Sequence, residues 1–210
     1  MIRYKRRFWA LAAALAALAG FVDSIAFIQL GGYFVSFMSG NSTRLAVGIS
    51  QAPAEAWLAL GLIAAFVAGV IAGALVNRSG ARRGGALVLA LVTVLLCAAA
   101  MLGQGGAAFW AMALLAAAMG VENAVFLRDG EVSIGVTYMT GALVRMGQRI
   151  AGALTGGPAF AWAPYLILWL GLIAGAALGA IAFVHFGFAC LWFAAAAAAL
   201  LGVTRLYLRD

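Results

Sequence analysis

The chain has 210 residues, a size that suits one domain, yet 67% of them are hydrophobic, 9% are charged and the mean hydropathy is +1.10. Soluble domains run at roughly half apolar and a quarter charged, so a soluble protein is excluded and an all-α, polytopic membrane protein is expected. A net charge of +7 would suggest nucleic acid in a soluble chain. Here the Lys and Arg residues gather at the ends of apolar runs, which reads as membrane topology; aromatics for stacking on bases are not interleaved with them, so no nucleic-acid partner is expected.

Arg3, Lys5, Arg6 and Arg7 precede an apolar run over about residues 8–30, long enough to cross a hydrocarbon core of roughly 30 Å. Leu18-Ala19-Gly20 would also suit cleavage of a signal peptide. Against cleavage, the matching run later in the chain is internal. Residues 31–53 carry Ser36, Ser39, Asn41, Ser42, Thr43, Arg44 and Gln51, too polar for a lipid-facing helix. A short or re-entrant helix beginning near Ser39 is expected there, with Gly40 allowing the turn and the first free amides facing a cavity.

The second span covers about 55–76 and holds Gly69-x-x-x-Gly73, a strip along which another helix can approach. Arg78, Arg82 and Arg83 follow in the loop 77–85. The third span, 86–102, ends at the Gly103-Gln104-Gly105-Gly106 turn, and the fourth, 107–127, carries Glu122 and Asn123 near its end. After a polar connection, 128–135, a second short helix bears Arg145, Gln148 and Arg149 and reaches Gly156; Pro158 and Pro164 close that region. Spans five and six, about 165–184 and 187–204, complete the chain, with Gly171, Gly175 and Gly179 at four-residue spacing in the fifth.

Met38-Ser39-Gly40-Asn41-Ser42-Thr43-Arg44 and Met139-Thr140-Gly141-Ala142-Leu143-Val144-Arg145 share the frame M-[ST]-G-x-x-x-R. Each follows an acidic residue near the end of an apolar run, Asp23 in one case and Glu122 in the other. Two related halves are therefore expected, residues 8–103 and 106–205 of one membrane domain spanning 1–210. Gly61-Leu62-Ile63-Ala64 and Gly171-Leu172-Ile173-Ala174 read as a further echo. With six spans and both termini in the cytoplasm, every basic residue except Arg44 falls inside. Eight spans would turn Arg78, Arg82 and Arg83 outward. Three spans per half then require opposite insertion, an inverted-topology repeat.

Phe21-Val22-Asp23, Phe37-Met38-Ser39-Gly40-Asn41-Ser42-Thr43, Gly120-Val121-Glu122-Asn123-Ala124 and Thr137-Tyr138-Met139-Thr140-Gly141 resemble the YoaK-like family of small bacterial membrane proteins, domain of unknown function 1275. The resemblance covers nearly the whole chain. It implies about six transmembrane helices in a bacterial cytoplasmic membrane and carries no catalytic residues with it. Glu122 is a departure, standing where the family often shows Gln or a similar polar residue.

A carboxylate in hydrocarbon costs several kcal/mol unless paired or wetted, which makes Asp23 and Glu122 candidates for exchanging a proton or binding a cation. Pairing with a basic residue, Arg128 for Glu122, or capping the adjoining helix is the structural alternative. Their spans are expected to place the two toward opposite faces. Arg44, among hydroxyls and Asn41, suits an anionic group or the neutralisation of Asp23, and Arg145 is its counterpart; either could instead reach to headgroups. Ser39, Asn41, Ser42, Thr43, Asn123 and Thr140 complete the pathway candidates, or else satisfy backbone groups freed by the helix breaks.

Cys97, Cys190 and His185 stand alone, and no enzyme, cofactor or metal constellation emerges. The expectation is a small-solute or ion transporter or channel in the lipid bilayer, working as a homodimer, with the glycine faces serving either the dimer or internal packing. The carboxylates hint at a cation and the arginines at an anion. A non-transporting assembly or sensory partner is the alternative: a cavity reaching Asp23 and Arg44 would favour transport, a dry bundle with an exposed apolar helix face the other.

Overall fold

The computed structural model describes residues 6–80, 83–128, 131–132 and 135–208. Helix α1, Arg6–Gln29, ends where Gly31 and Gly32 take positive φ of 66° and 104°, letting the chain turn back. The short α2, Met38–Gln51, abuts α3, Pro53–Ser79, which Pro53 starts at a position where its missing N–H costs nothing. Helices α4, Gly84–Gln104, and α5, Ala108–Glu122, form a hairpin, and a 3-10 turn, Asn123–Phe126, prolongs α5. Two-residue strands β1, Leu127–Arg128, and β2, Glu131–Val132, make a small antiparallel ladder. Then come α6, Met139–Leu154, α7, Ala163–Phe186, a 3-10 turn, Gly187–Cys190, and α8, Leu191–Tyr207.

The fold is thus helical, and five stretches are long and apolar enough to cross a membrane: 8–29, 53–79, 84–104, 108–126 and 163–207. Together they make this a multi-pass membrane protein. Burial separates inner from outer elements. The apolar window of the 108–126 stretch is 72% buried and that of 8–29 is 56%, against 22% for 53–79 and 17% for 163–207. Hence α1 and α5 form the centre, filled by Leu15, Val22, Ile25, Met112, Leu115 and Met119, while α3 and α7 turn most of their surface outward.

Small residues decide how these layers meet. Added side chains at Gly69 and Gly73 of α3 would collide with the backbone of Ala117 and Val121 on α5; at Gly175 and Gly179 of α7, with Ala17 and Phe21 on α1. In each seam the contacts ascend together in residue number, so α3 runs parallel to α5 and α7 parallel to α1. Gly20 and Gly120 answer from the inner helices, against Leu172 and Phe66. The glycine faces expected to serve either a dimer or internal packing therefore serve internal packing, as close backbone approach requires. Gly61 meets no neighbour whereas Gly171 sits on Ala13, so the two four-residue echoes are not packing equivalents.

Candidate functional site

Between α1 and α2 the chain must carry unpaired amides through an apolar interior, and Asp23 receives them. Its Oδ1 accepts the backbone N–H groups of Val35 and Ser36, both at 2.8 Å, and its Oδ2 accepts the Ser36 hydroxyl at 2.5 Å. The second half repeats the device with a neutral group. Buried Asn123 accepts the Thr137 hydroxyl at 2.9 Å and donates to the Met119 carbonyl at 2.9 Å. Gly20 and Gly120 set the register, three residues before Asp23 and Asn123 respectively. Asp23 and Asn123 thus stand at like positions, each three residues after a glycine seated against a neighbouring helix backbone.

Ser36 and Thr137 were not among the sequence candidates for the site. Their signal is present all the same: Ser36-Phe37-Met38-Ser39-Gly40 and Thr137-Tyr138-Met139-Thr140-Gly141 extend the frame to [ST]-[FY]-M-[ST]-G. The two loops meet. A cavity of about 420 Å³ is lined by Asp23, Ser36 and Phe37 from one and Thr137 and Met139 from the other, with Phe27, Phe34 and the Leu172–Ala180 face of α7 as its apolar walls. The rings of Phe27, Phe34 and Phe37 pack in succession at 5.3 and 5.2 Å between centroids. Its polar lining consists of Asp23 and the hydroxyl residues Ser24, Ser36 and Thr137; neither Arg44 nor Arg145 reaches it.

The remaining α2 candidates are engaged elsewhere. Asn41, fully buried, accepts the Phe34 N–H at 3.0 Å and donates to the Phe34 carbonyl at 2.6 Å, clamping the loop through both backbone groups of one residue. Ser42 and Thr43 are exposed and return their hydroxyls to the carbonyls of Met38 and Ser39 in their own helix; Ser39 is exposed as well. Arg44 lies over the Tyr33 ring, 4.7 Å from its centroid, instead of beside Asp23. The Tyr33 hydroxyl donates to the Glu55 carboxylate at 3.2 Å. Burial first, and then the Glu55 charge, push the Tyr33 phenol above its ordinary range, with Arg44 opposing. This cluster lies in the 30–55 connection outside the cavity.

In the second half, Thr140 and Arg145 are exposed, and Arg145, Gln148, Arg149 and Tyr165 line a separate polar hollow. Glu122 differs from all of these. It is completely buried, and neither carboxylate oxygen has a hydrogen-bond partner among the described residues. The side chain of Arg128, its expected partner, lies outside the described residues.

Comparison with known proteins fits this picture. Residues 11–204 match the family described as "Protein of unknown function (DUF1275)". A UPF0700 transmembrane protein of Rhizobium meliloti (strain 1021) is 37% identical over 163 residues, 78% of this chain and 70% of that one. No solved structure matches.

Proposed function

The chain belongs to the DUF1275 family, and on that premise we propose that it is a small-solute or ion transporter or channel whose pathway is the cavity shared by its two motif loops. The observation carrying this reading is the meeting of Asp23 and Ser36 with Thr137, whose hydroxyl is held by Asn123, at one cavity. Irregular backbone at membrane depth is tolerated where it is buried in protein or lines a water-filled cavity, and transporters place their sites at such breaks. The lining brings a carboxylate and hydroxyls and no basic side chain, which favours a cationic or neutral solute over an anion.

Six crossings in two inverted halves are part of the proposal. With 14 and 16 residues, α2 and α6 reach only about 21 and 24 Å, short of the roughly 30 Å core. The 163–207 stretch is interrupted at Gly187, whose φ of 53° ends α7, and is counted as two crossings. The glycine seams pair α3 with α5 as α7 is paired with α1, the pattern an internal twofold would generate. With the positive-inside bias as its support, the proposal reads both termini as cytoplasmic and the membrane as a bacterial plasma membrane. The protein is read as a non-enzyme.

A non-transporting assembly role is the second reading. It is favoured by α6, where Ala142 is the one buried residue among those described while Leu143, Ile150 and Leu154 remain exposed. Uptake of ions and small metabolites into proteoliposomes decides between them. The transport reading expects Asp23→Asn to lower uptake about tenfold, the scale of one charged hydrogen bond, Glu122→Gln to lower it as well, and Arg44→Gln to leave it intact. Should a solute be carried and neither carboxyl change affect it, the site is wrong; an exchange of labelled solute by no tested compound favours the assembly role.

A further inference from the structure

We propose that Glu122 is a proton-binding site: at neutral pH it is held as the neutral acid inside the bundle. The geometry leads there by elimination. A carboxylate offers about four acceptor positions. Asp23 has three filled by N–H and O–H donors, which suits an anion. Glu122 has none filled among the described residues and no exposed surface. An ionised carboxylate so placed would lack both solvent and partner, and proteins answer that cost by keeping the group neutral.

Among the described side chains none hydrogen-bonds to Glu122; the charged groups on the elements packed against α5 are Asp23 of α1, Glu55 and Arg78 at the ends of α3 and Arg83 at the head of α4. Arg205 of α8 donates to the Leu208 carbonyl and lies over Phe8. The two inner carboxyls are thus unlike: one anchors a loop and lines the cavity, the other is sealed inside the bundle. The proton site does not rest on the transport reading.

Infrared spectroscopy of the purified full chain in lipid tests it, since only six Asp and Glu residues contribute. The expected result at neutral pH is a protonated-carboxyl carbonyl band that shifts in heavy water, is lost in Glu122→Gln and is kept in Glu55→Gln. Absence of the band in the folded parent, or its survival in Glu122→Gln, overturns the proposal. If Glu122→Gln does not fold, Glu122→Asp serves: a displaced band supports the assignment and an unmoved one refutes it. A band present with no solute flux sinks the transport reading alone, and flux without the band sinks the proton site alone.

Discussion

The two motif helices carry the same sequence frame in different settings. In α2 the frame is fastened: Asn41 clamps Phe34, Arg44 rests on Tyr33, and Asp23 draws in three donors from the preceding loop. In α6 the matching positions are Ala142 and an exposed Arg145, and among the described residues the loop is held through Asn123 with one hydroxyl. The difference teaches that the frame's Met, Ser/Thr and Gly positions specify a break followed by a short helix, whereas the residues between Gly and Arg set how rigidly that helix is held. The first half is the anchored side of the cavity and the second half the looser one.

Breaking the framework common to both halves should cost most. Gly69→Leu or Gly175→Leu drives a side chain into facing backbone, and a loss of ~3 kcal/mol or more is expected, read as loss of a monodisperse species in detergent. Next, Asn41→Ala orphans both backbone groups of Phe34 and should destabilise by ~2–4 kcal/mol in thermal or denaturant unfolding; Ala142→Gly in the looser helix should cost about 1 kcal/mol. Ser36→Ala should cost about 2 kcal/mol, since its acceptor is charged, and Thr137→Val about 1 kcal/mol, since its acceptor is neutral. Equal costs would remove the asymmetry.

The smallest effects concern the outer cluster. Arg145→Gln should change stability by less than ~0.5 kcal/mol and Arg44→Gln by about 0.5–1 kcal/mol through the lost ring contact. Tyr33 adds a pH signature. The folded chain holds the phenolic proton more tightly than the ordinary value of 10.0, so the stability Tyr33 provides is intact below that pH and is lost as pH rises through the folded-state value. Ultraviolet titration of the parent against Tyr33→Phe should assign the high-pH tyrosine transition to this residue.

Much of the helical layout was legible because apolar runs bounded by arginine or glycine leave little freedom. The expected short helices near Ser39 and up to Gly156 correspond to Met38–Gln51 and Met139–Leu154. Residue roles were harder to read. Asp23 and Glu122 look alike as acids near the ends of apolar runs, and only the seating of Gly20 and Gly120 reveals that Asp23 corresponds to Asn123. Arg44 looks available for an anion until Tyr33, eleven positions earlier, folds beneath it. Such pairings depend on how each loop returns into the bundle, a long-range property that local pattern does not carry. Ser36 and Thr137 were readable, two residues before each Met, and extending the frame upstream would have found them.

Aqueous access to the two motif loops is the most direct test of the proposed pathway. In a chain with Cys97 and Cys190 replaced by Ala, single cysteines at Ser36 and Thr137 are offered to a water-soluble, membrane-impermeant thiol reagent in sealed vesicles of each orientation. A water-filled route between the loops predicts that both Ser36→Cys and Thr137→Cys are modified. Reaction of both with a membrane-permeant reagent and of neither with the impermeant one would contradict it.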